Sequence, residues 1–344
     1  MITKVIPEEK VVATYKAIQR ARRIVIVAHK RPDGDAIGSC LGLYHFLYAF
    51  ERETFVILPD AIPSNMTILP SSSEIINYEQ NVEHCKAIIA ETDLIFCLDF
   101  NNLERIGALG TLIAQSEAEK IMIDHHLDYH PFADVCISHP EIASTSELIF
   151  RLICRMGYFA DMSLQTAECI CAGMLTDTGG LAYNSNSPEI YTIFAELLRK
   201  GVDKDALYRH LFNTYKESRM RLMGYVLSQK LEIIPECHTA LFSLTEEELK
   251  QYNYEKGDTE GFVNLPLSID GIIFSIFARE EKDTVKLSLR SVGNFPANKF
   301  ASHFFEGGGH LNASGAESKL SLSDTIKKIK EVLPAFCEEI DKQI

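Results

Sequence analysis

The feature that most constrains this chain is a set of short apolar runs that lack polar alternation. RIVIVA (23–28), TFVIL (54–58), LIFCL (94–98) and KIMI (120–123) are rich in β-branched residues and read as strands buried on both faces. Between them the spacing is helical, at 36–50, 83–90 and 103–115. In the first of these, Ile37, Leu41, Tyr44 and Leu47 recur at helical spacing, while Gly38, Ser39 and Gly42 are small enough to admit a close neighbour. Doubly buried strands alternating with helices predict an α/β fold with a mostly parallel sheet flanked by helices. Further helices are expected at 144–156, 164–175 and 189–199.

Beyond a charged helical stretch at 215–229 the pattern changes. Strands are expected at 231–234, 239–243, 271–278 and 284–289, followed by a C-terminal amphipathic helix at 322–340. A length of 344 residues exceeds what one core ordinarily holds. The expected division is a catalytic metal-binding domain over 1–214, a linker helix over 215–230 and a smaller α/β substrate-binding domain over 231–344.

In open α/β sheets, ligands bind beyond the carboxyl ends of the strands. Here RIVIVA ends in His29-Lys30-Arg31-Pro32-Asp33-Gly34-Asp35, LIFCL ends in Asp99, KIMI ends in Asp124-His125-His126, and the helix over 164–175 runs into Asp177. Singly, Asp99 and Asp177 are explained as caps or turn formers. Four coincidences at strand and helix ends are not. The histidines 29 and 125 with the carboxylates 33, 35, 99 and 177 suit a pair of divalent cations, and the lack of cysteine ligands argues against structural zinc. Mn2+ is the first choice, with Mg2+ or Co2+ as substitutes. Four carboxylates balance two divalent cations, which could deprotonate a shared water for in-line attack on phosphorus.

Composition excludes several alternatives. A net charge of −14 argues against duplex DNA as a partner, because that needs a basic face. The nine cysteines are odd in number, form no C-x-x-C pair and fall mostly in apolar segments, as expected of reduced, buried thiols. The N-terminal segment lacks the apolar core of a signal peptide and no window reaches the length of a membrane span, so no membrane association and a cytoplasmic location are expected.

Taken in order, His29-x-x-x-Asp33-x-Asp35, Asp99, Asp124-His125-His126 and Asp177 resemble the four motifs of the DHH phosphoesterase superfamily. Ser288-Leu289-Arg290-Ser291 and the run from Gly307 through His310 to Gly315 resemble its DHHA1 domain. The nearest branch is that of the nanoRNases, bifunctional oligoribonucleases and phosphatases. The resemblance implies an active site in the cleft between the two domains. It assigns His29, Asp33 and Asp99 to one metal, and Asp35, Asp99, His125 and Asp177 to the other, with Asp99 bridging. It makes His126 and Asp124 the candidate catalytic residues, His126 against the scissile phosphate and Asp124 orienting a neighbour. Two departures stand out: Arg31, preceded by Lys30, occupies a place where the family usually has Asn, and Ala313-Ser314-Gly315 replaces a commoner Ala-Ala-Gly.

Gly307, Gly308 and Gly309 let backbone N–H groups approach an anion, and Arg290 and His310 can add charge-assisted hydrogen bonds; a glycine run alone would read as a tight turn before a strand, but beside the metal motifs a phosphate or nucleotide cradle is expected. The expected activity is hydrolysis of short oligoribonucleotides or linear dinucleotides to mononucleotides, and of 3′-phosphoadenosine 5′-phosphate, a nucleoside bisphosphate, to AMP. A homodimer is compatible with the sequence. A polyphosphatase or pyrophosphatase, a non-catalytic nucleotide sensor and an exonuclease acting on longer strands remain as alternatives.

Overall fold

Ile24 and Ile26 pack into one apolar cluster and Val25 and Val27 into another, which is why the first strand reads as an unbroken apolar run. A computed structural model describes residues 3–127 and 130–341. Contacts separate the chain into two compact units between Thr214 and Tyr215. The first unit begins with α1 (Glu8–Arg20) and contains six strands: β1 (Arg23–Val27), β2 (Glu53–Leu58), β3 (Ile76–Asn77), β4 (Leu94–Leu98), β5 (Glu119–Asp124) and β6 (Val135–Ser138). Every pairing is parallel, in the order β3-β2-β1-β4-β5-β6. The two edge strands β3 and β6 are short and were not anticipated.

The order reverses between β1 and β4. Chain leaving β1 and chain leaving β4 therefore turn to opposite sides and open a crevice at their carboxyl ends. Helices α2 (Gly34–Tyr48), α5 (Thr145–Arg155), α6 (Leu164–Asp177), α7 (Pro188–Arg199) and α8 (Lys204–Phe212) join the cluster on one face of the sheet, and α3 (Val82–Ala90) and α4 (Ala108–Gln115) the cluster on the other. The stretch 103–115 is not one helix, as expected, but a 3-10 turn over Leu103–Ile106, a left-handed Gly107 at φ 59° and then α4. The break leaves the Arg105 carbonyl free to accept the Lys30 N–H at 2.8 Å, which pins the loop after β1.

Helices α2 and α6 approach closely through glycine. A Cβ on Gly38 would stand 2.6 Å from the Cys169 carbonyl oxygen, and one on Gly34 would stand 2.4 Å from Thr176 Oγ1. That closeness brings the start of α2 and the end of α6 to the same edge of the sheet. Among the described residues no helix is long and apolar enough to cross a membrane. All nine cysteines are free thiols, most of them buried.

The second unit opens with α9 (Glu217–Tyr225) and a π-helical turn, Val226–Lys230, so the expected linker helix lies within it. Its sheet is mixed, β11-β12-β10-β9-β8-β7, built from β7 (Glu232–Ile234), β8 (Thr239–Leu244), β9 (Phe274–Glu281), β10 (Thr284–Ser291), β11 (Glu306–His310) and β12 (Ala313–Ser318). α10 (Glu246–Gln251) and α11 (Ala297–Phe304) are inserted, and α12 (Leu322–Asp341) ends the unit. Strand β9 begins three residues later than expected because Gly271 turns the chain at φ 79°. The glycine run is not a tight turn. It forms most of β11, an exposed edge strand paired antiparallel to β12.

Candidate metal centre

Four chain segments end at the crevice. Asp33 caps α2: its Oδ1 accepts the N–H groups of Asp35 and Ala36, both at 3.0 Å. Asp35 lies in the first turn, almost fully buried. Asp99 follows β4 in the left-handed region, at φ 64°, with its N–H bonded to the Ile123 carbonyl at 3.0 Å. Asp124 ends β5, His125 and His126 follow it, and Asp177 ends α6. The structure thus brings together the six residues expected as metal ligands and, beside them, the two expected as catalytic, His126 and Asp124.

Each histidine is held by one nitrogen and offers the other. His29 Nδ1 lies 2.9 Å from the Lys30 carbonyl, His125 Nδ1 lies 3.2 Å from the Ile142 carbonyl, and His126 Nδ1 lies 2.7 Å from Asp124 Oδ1. Bonding at Nδ1 leaves Nε2 to face a cation or a substrate. His29 Nε2 is 3.4 Å from Asp99 Oδ2 and 3.7 Å from Asp33 Oδ1. His125 Nε2 is 3.2 Å from Asp177 Oδ2, 3.5 Å from Asp99 Oδ1 and 3.9 Å from Asp35 Oδ2. The two oxygens of Asp99 thus face different histidines.

Among the described residues, three groups have ligand atoms within 4.8 Å of one another: His29 with Asp33 and Asp99, Asp35 with His125 and Asp177, and Asp99 with His125 and His126. Each could hold a metal ion. The electrostatics fit that use. Burial and the charges of Asp99 and Asp177 hold the Asp35 carboxyl well above the usual range, and burial with the charges of Asp99 and Asp33 pushes Asp177 up to about 8. Burial opposes charge on His29, but its bonds to Asp33 and Asp99 outweigh it and raise the ring to about 10. Asp99 moves the other way: burial is overcome by the His29 hydrogen bond and by the charges of His125, His29 and His126. Protons fill the place of positive charge that a divalent cation would supply.

The sequence reading missed what steadies the carboxylates. Thr145 and Ser146, in the first turn of α5, donate N–H bonds to Asp35 Oδ2 and Oδ1 at 2.6 and 2.9 Å, and the Thr145 hydroxyl donates to Asp99 Oδ1 at 3.0 Å. Ser144-Thr145-Ser146-Glu147 before an apolar run is a helix-start signature, and that explanation conceals any other. The departure at Arg31 has a structural counterpart. Arg31 is exposed, left-handed at φ 55°, and its N–H bonds to Asp60 Oδ2 at 2.5 Å.

Arg290 and the glycine run belong to the second unit. Arg290 and His310 both pair with Ala313, on either side of β12, so they share one row of the sheet, two strand spacings or about 10 Å apart. Residues directly opposite in antiparallel strands point to the same face. Arg290 Nη1 donates to the Leu289 carbonyl at 2.9 Å, and His310 is exposed. Glycine is required at 307, where a Cβ would fall 2.3 Å from the Ala316 Cβ.

Comparison with known proteins agrees with this arrangement. The DHH family, N-terminal domain, matches residues 23–174, and the DHHA1 domain matches residues 239–344. The bifunctional oligoribonuclease and PAP phosphatase NrnA of Thermus thermophilus is 31% identical over 90% of this chain and 89% of its own length. The Bacillus subtilis protein of the same name is 26% identical over 92% of this chain and 95% of its own. A crystal structure described as an exopolyphosphatase-related protein from Bacteroides fragilis superposes with a TM-score of 0.96 at 52% identity, covering 99% of this chain and all of that one.

Proposed function

Because the chain belongs to the DHH phosphoesterase family and carries a DHHA1 domain, it is a hydrolase, and we propose that it cleaves short oligoribonucleotides or linear dinucleotides to mononucleotides and 3′-phosphoadenosine 5′-phosphate to AMP. The observation that carries the reading is the position of Asp99, one oxygen toward His29 and the other toward His125. His29, Asp33 and Asp99 hold one divalent cation, Mn2+ by preference, and Asp35, Asp99, His125 and Asp177 hold a second. Such cations supply Lewis acidity toward phosphoryl oxygens and lower the pKa of water. His126 contacts the scissile phosphate and Asp124 holds its ring. Arg290, His310 and the N–H groups of Gly307, Gly308 and Gly309 bind a second phosphate of the substrate.

The test is purified protein with Mn2+, offered pApA, 3′-phosphoadenosine 5′-phosphate and tripolyphosphate. Mononucleotide release from the first two supports the proposal. The Bacteroides fragilis description favours a polyphosphatase instead, and faster turnover of tripolyphosphate would establish that reading.

Cation binding should depend on pH. His29 near 10 and Asp177 near 8 both carry protons at pH 7 in the absence of metal, and each must lose its proton to become a ligand. Affinity for Mn2+ therefore rises with pH from 6 to 8, about tenfold per unit for each proton displaced. Calorimetric titrations in buffers of different ionisation enthalpy count those protons. An affinity flat across that interval contradicts the ligand assignment.

Arg290→Ala should lower kcat/KM for pApA by roughly 10- to 100-fold, the worth of a charge-assisted phosphate contact. Hydrolysis of p-nitrophenyl phosphate, which offers no second phosphate, should change little. An equal loss on both substrates would mean that Arg290 supports the fold rather than the substrate.

A further inference from the structure

Of the three carboxylates beside His125, Asp35 and Asp99 are held in different ways. Both oxygens of Asp35 accept backbone N–H groups at the start of α5, an arrangement that leaves the side chain no freedom to turn. Asp99 stands on a left-handed residue at a strand end, and rotation about the last torsion of an aspartate is soft. The Thr145 hydroxyl holds Oδ1 of this carboxylate, while Oδ2 lies beside His29. With Oδ1 held, it keeps a lone pair toward His125.

Capping does not account for this hydroxyl. The cap of α5 is Ser144, whose side chain already accepts the Glu147 N–H at 3.1 Å. The neighbouring Ser146 Oγ is buried without a hydrogen-bond partner, so burial in this turn does not of itself force a hydroxyl to find a carboxylate. Thr145 is fully buried, which shields its bond to Asp99 from competing water.

We infer that Thr145 is a positioning residue for the second cation: its N–H holds Asp35, its hydroxyl holds Asp99, and one residue thereby steadies two of the three carboxylates that converge on His125. This rests on the two-cation reading above. Of the His29, Asp33 and Asp99 group only Asp99 meets Thr145, through Oδ1, and its Oδ2 stays beside His29, so loss of the hydroxyl should weaken the second site more than the first.

Thr145→Val keeps the N–H bond to Asp35 and the volume but removes the hydroxyl, whereas Thr145→Ser keeps the hydroxyl. Mn2+ titration of the full chain, by calorimetry and by the paramagnetic resonance of coupled Mn2+ pairs, should show two ions in the wild type. The Val variant should hold one ion with little change and the other 10- to 100-fold more weakly, the usual effect of removing a partner behind a ligand. The Ser variant should restore both. Thr145→Ala gives the same comparison if the Val variant does not fold. Second-ion affinity within threefold of wild type in the Val or Ala variant, or a Ser variant as weak as these, overturns the inference while leaving the two-cation reading intact. Fewer than two ions in the wild type removes that reading, and the inference with it.

Discussion

Replacing Asp99 with Asn should abolish turnover, by roughly three orders of magnitude or more, and release both cations together. Among the described residues Asp99 is the one carboxylate that faces both His29 and His125, at 3.4 and 3.5 Å. Asn is the informative choice because it tolerates the left-handed backbone at φ 64° and can still accept the Thr145 hydroxyl through its amide oxygen. The fold should survive, but metal-free protein should lose some stability. At pH 7 Asp177 is protonated and offers Asp99 no repulsion to relieve, whereas the buried pairing of Asp99 with protonated His29 is lost. What should vanish is the rise in melting temperature on adding Mn2+, since a ligand stabilises only in proportion to its binding. Metal content, kcat and melting curves with and without Mn2+ together decide the matter. A folded Asn variant with two bound ions and near wild-type kcat would mean that Asp99 bridges nothing.

Much of this centre was legible in the sequence because its side chains follow directly from elements whose pattern is strong. Strands β1, β4 and β5 are doubly buried, so their ends are marked by an abrupt change from apolar residues to His29, Asp99 and Asp124. Asp177 needed the end of α6, marked in the same way. The supporting contacts left no such trace. The carbonyls of Lys30 and Ile142 that hold His29 and His125 belong to the backbone, and any residue would supply them. Thr145 was hidden by an adequate local explanation.

In the second unit the pattern itself misleads. Glycine is depleted in strands because it has no side chain to pack and loses more entropy on ordering, so Gly307 to Gly309 point to a turn. They form a strand because β12 approaches too closely at Gly307 for a Cβ. Tertiary contact overrides local preference there, and only the pairing of Arg290 and His310 with Ala313 reveals that the two basic residues share a row.

His126→Ala should lower kcat by roughly 100- to 1000-fold while leaving two cations bound, the effect expected when a group that stabilises charge on the reacting phosphate is removed. Geometry alone permits another role, since His126 lies with Asp99 and His125 in a group that could hold an ion. The way the ring is held favours the phosphate. Asp124 is fully buried and takes two bonds from this one residue, the N–H at 3.1 Å to Oδ2 and Nδ1 at 2.7 Å to Oδ1. A carboxylate committed in this way fixes Nδ1 and orients the ring, leaving Nε2 as the atom that can meet a phosphate. Asp124→Asn should then act through His126. Its loss of kcat should be smaller than that of His126→Ala, and the double variant should be no worse than His126→Ala alone, because the two substitutions remove one function. Metal content by elemental analysis and kcat for pApA, measured on all three variants, provide the check. Loss of one full equivalent of Mn2+ from His126→Ala would make the ring a ligand, and additive losses in the double variant would show Asp124 acting on something other than His126.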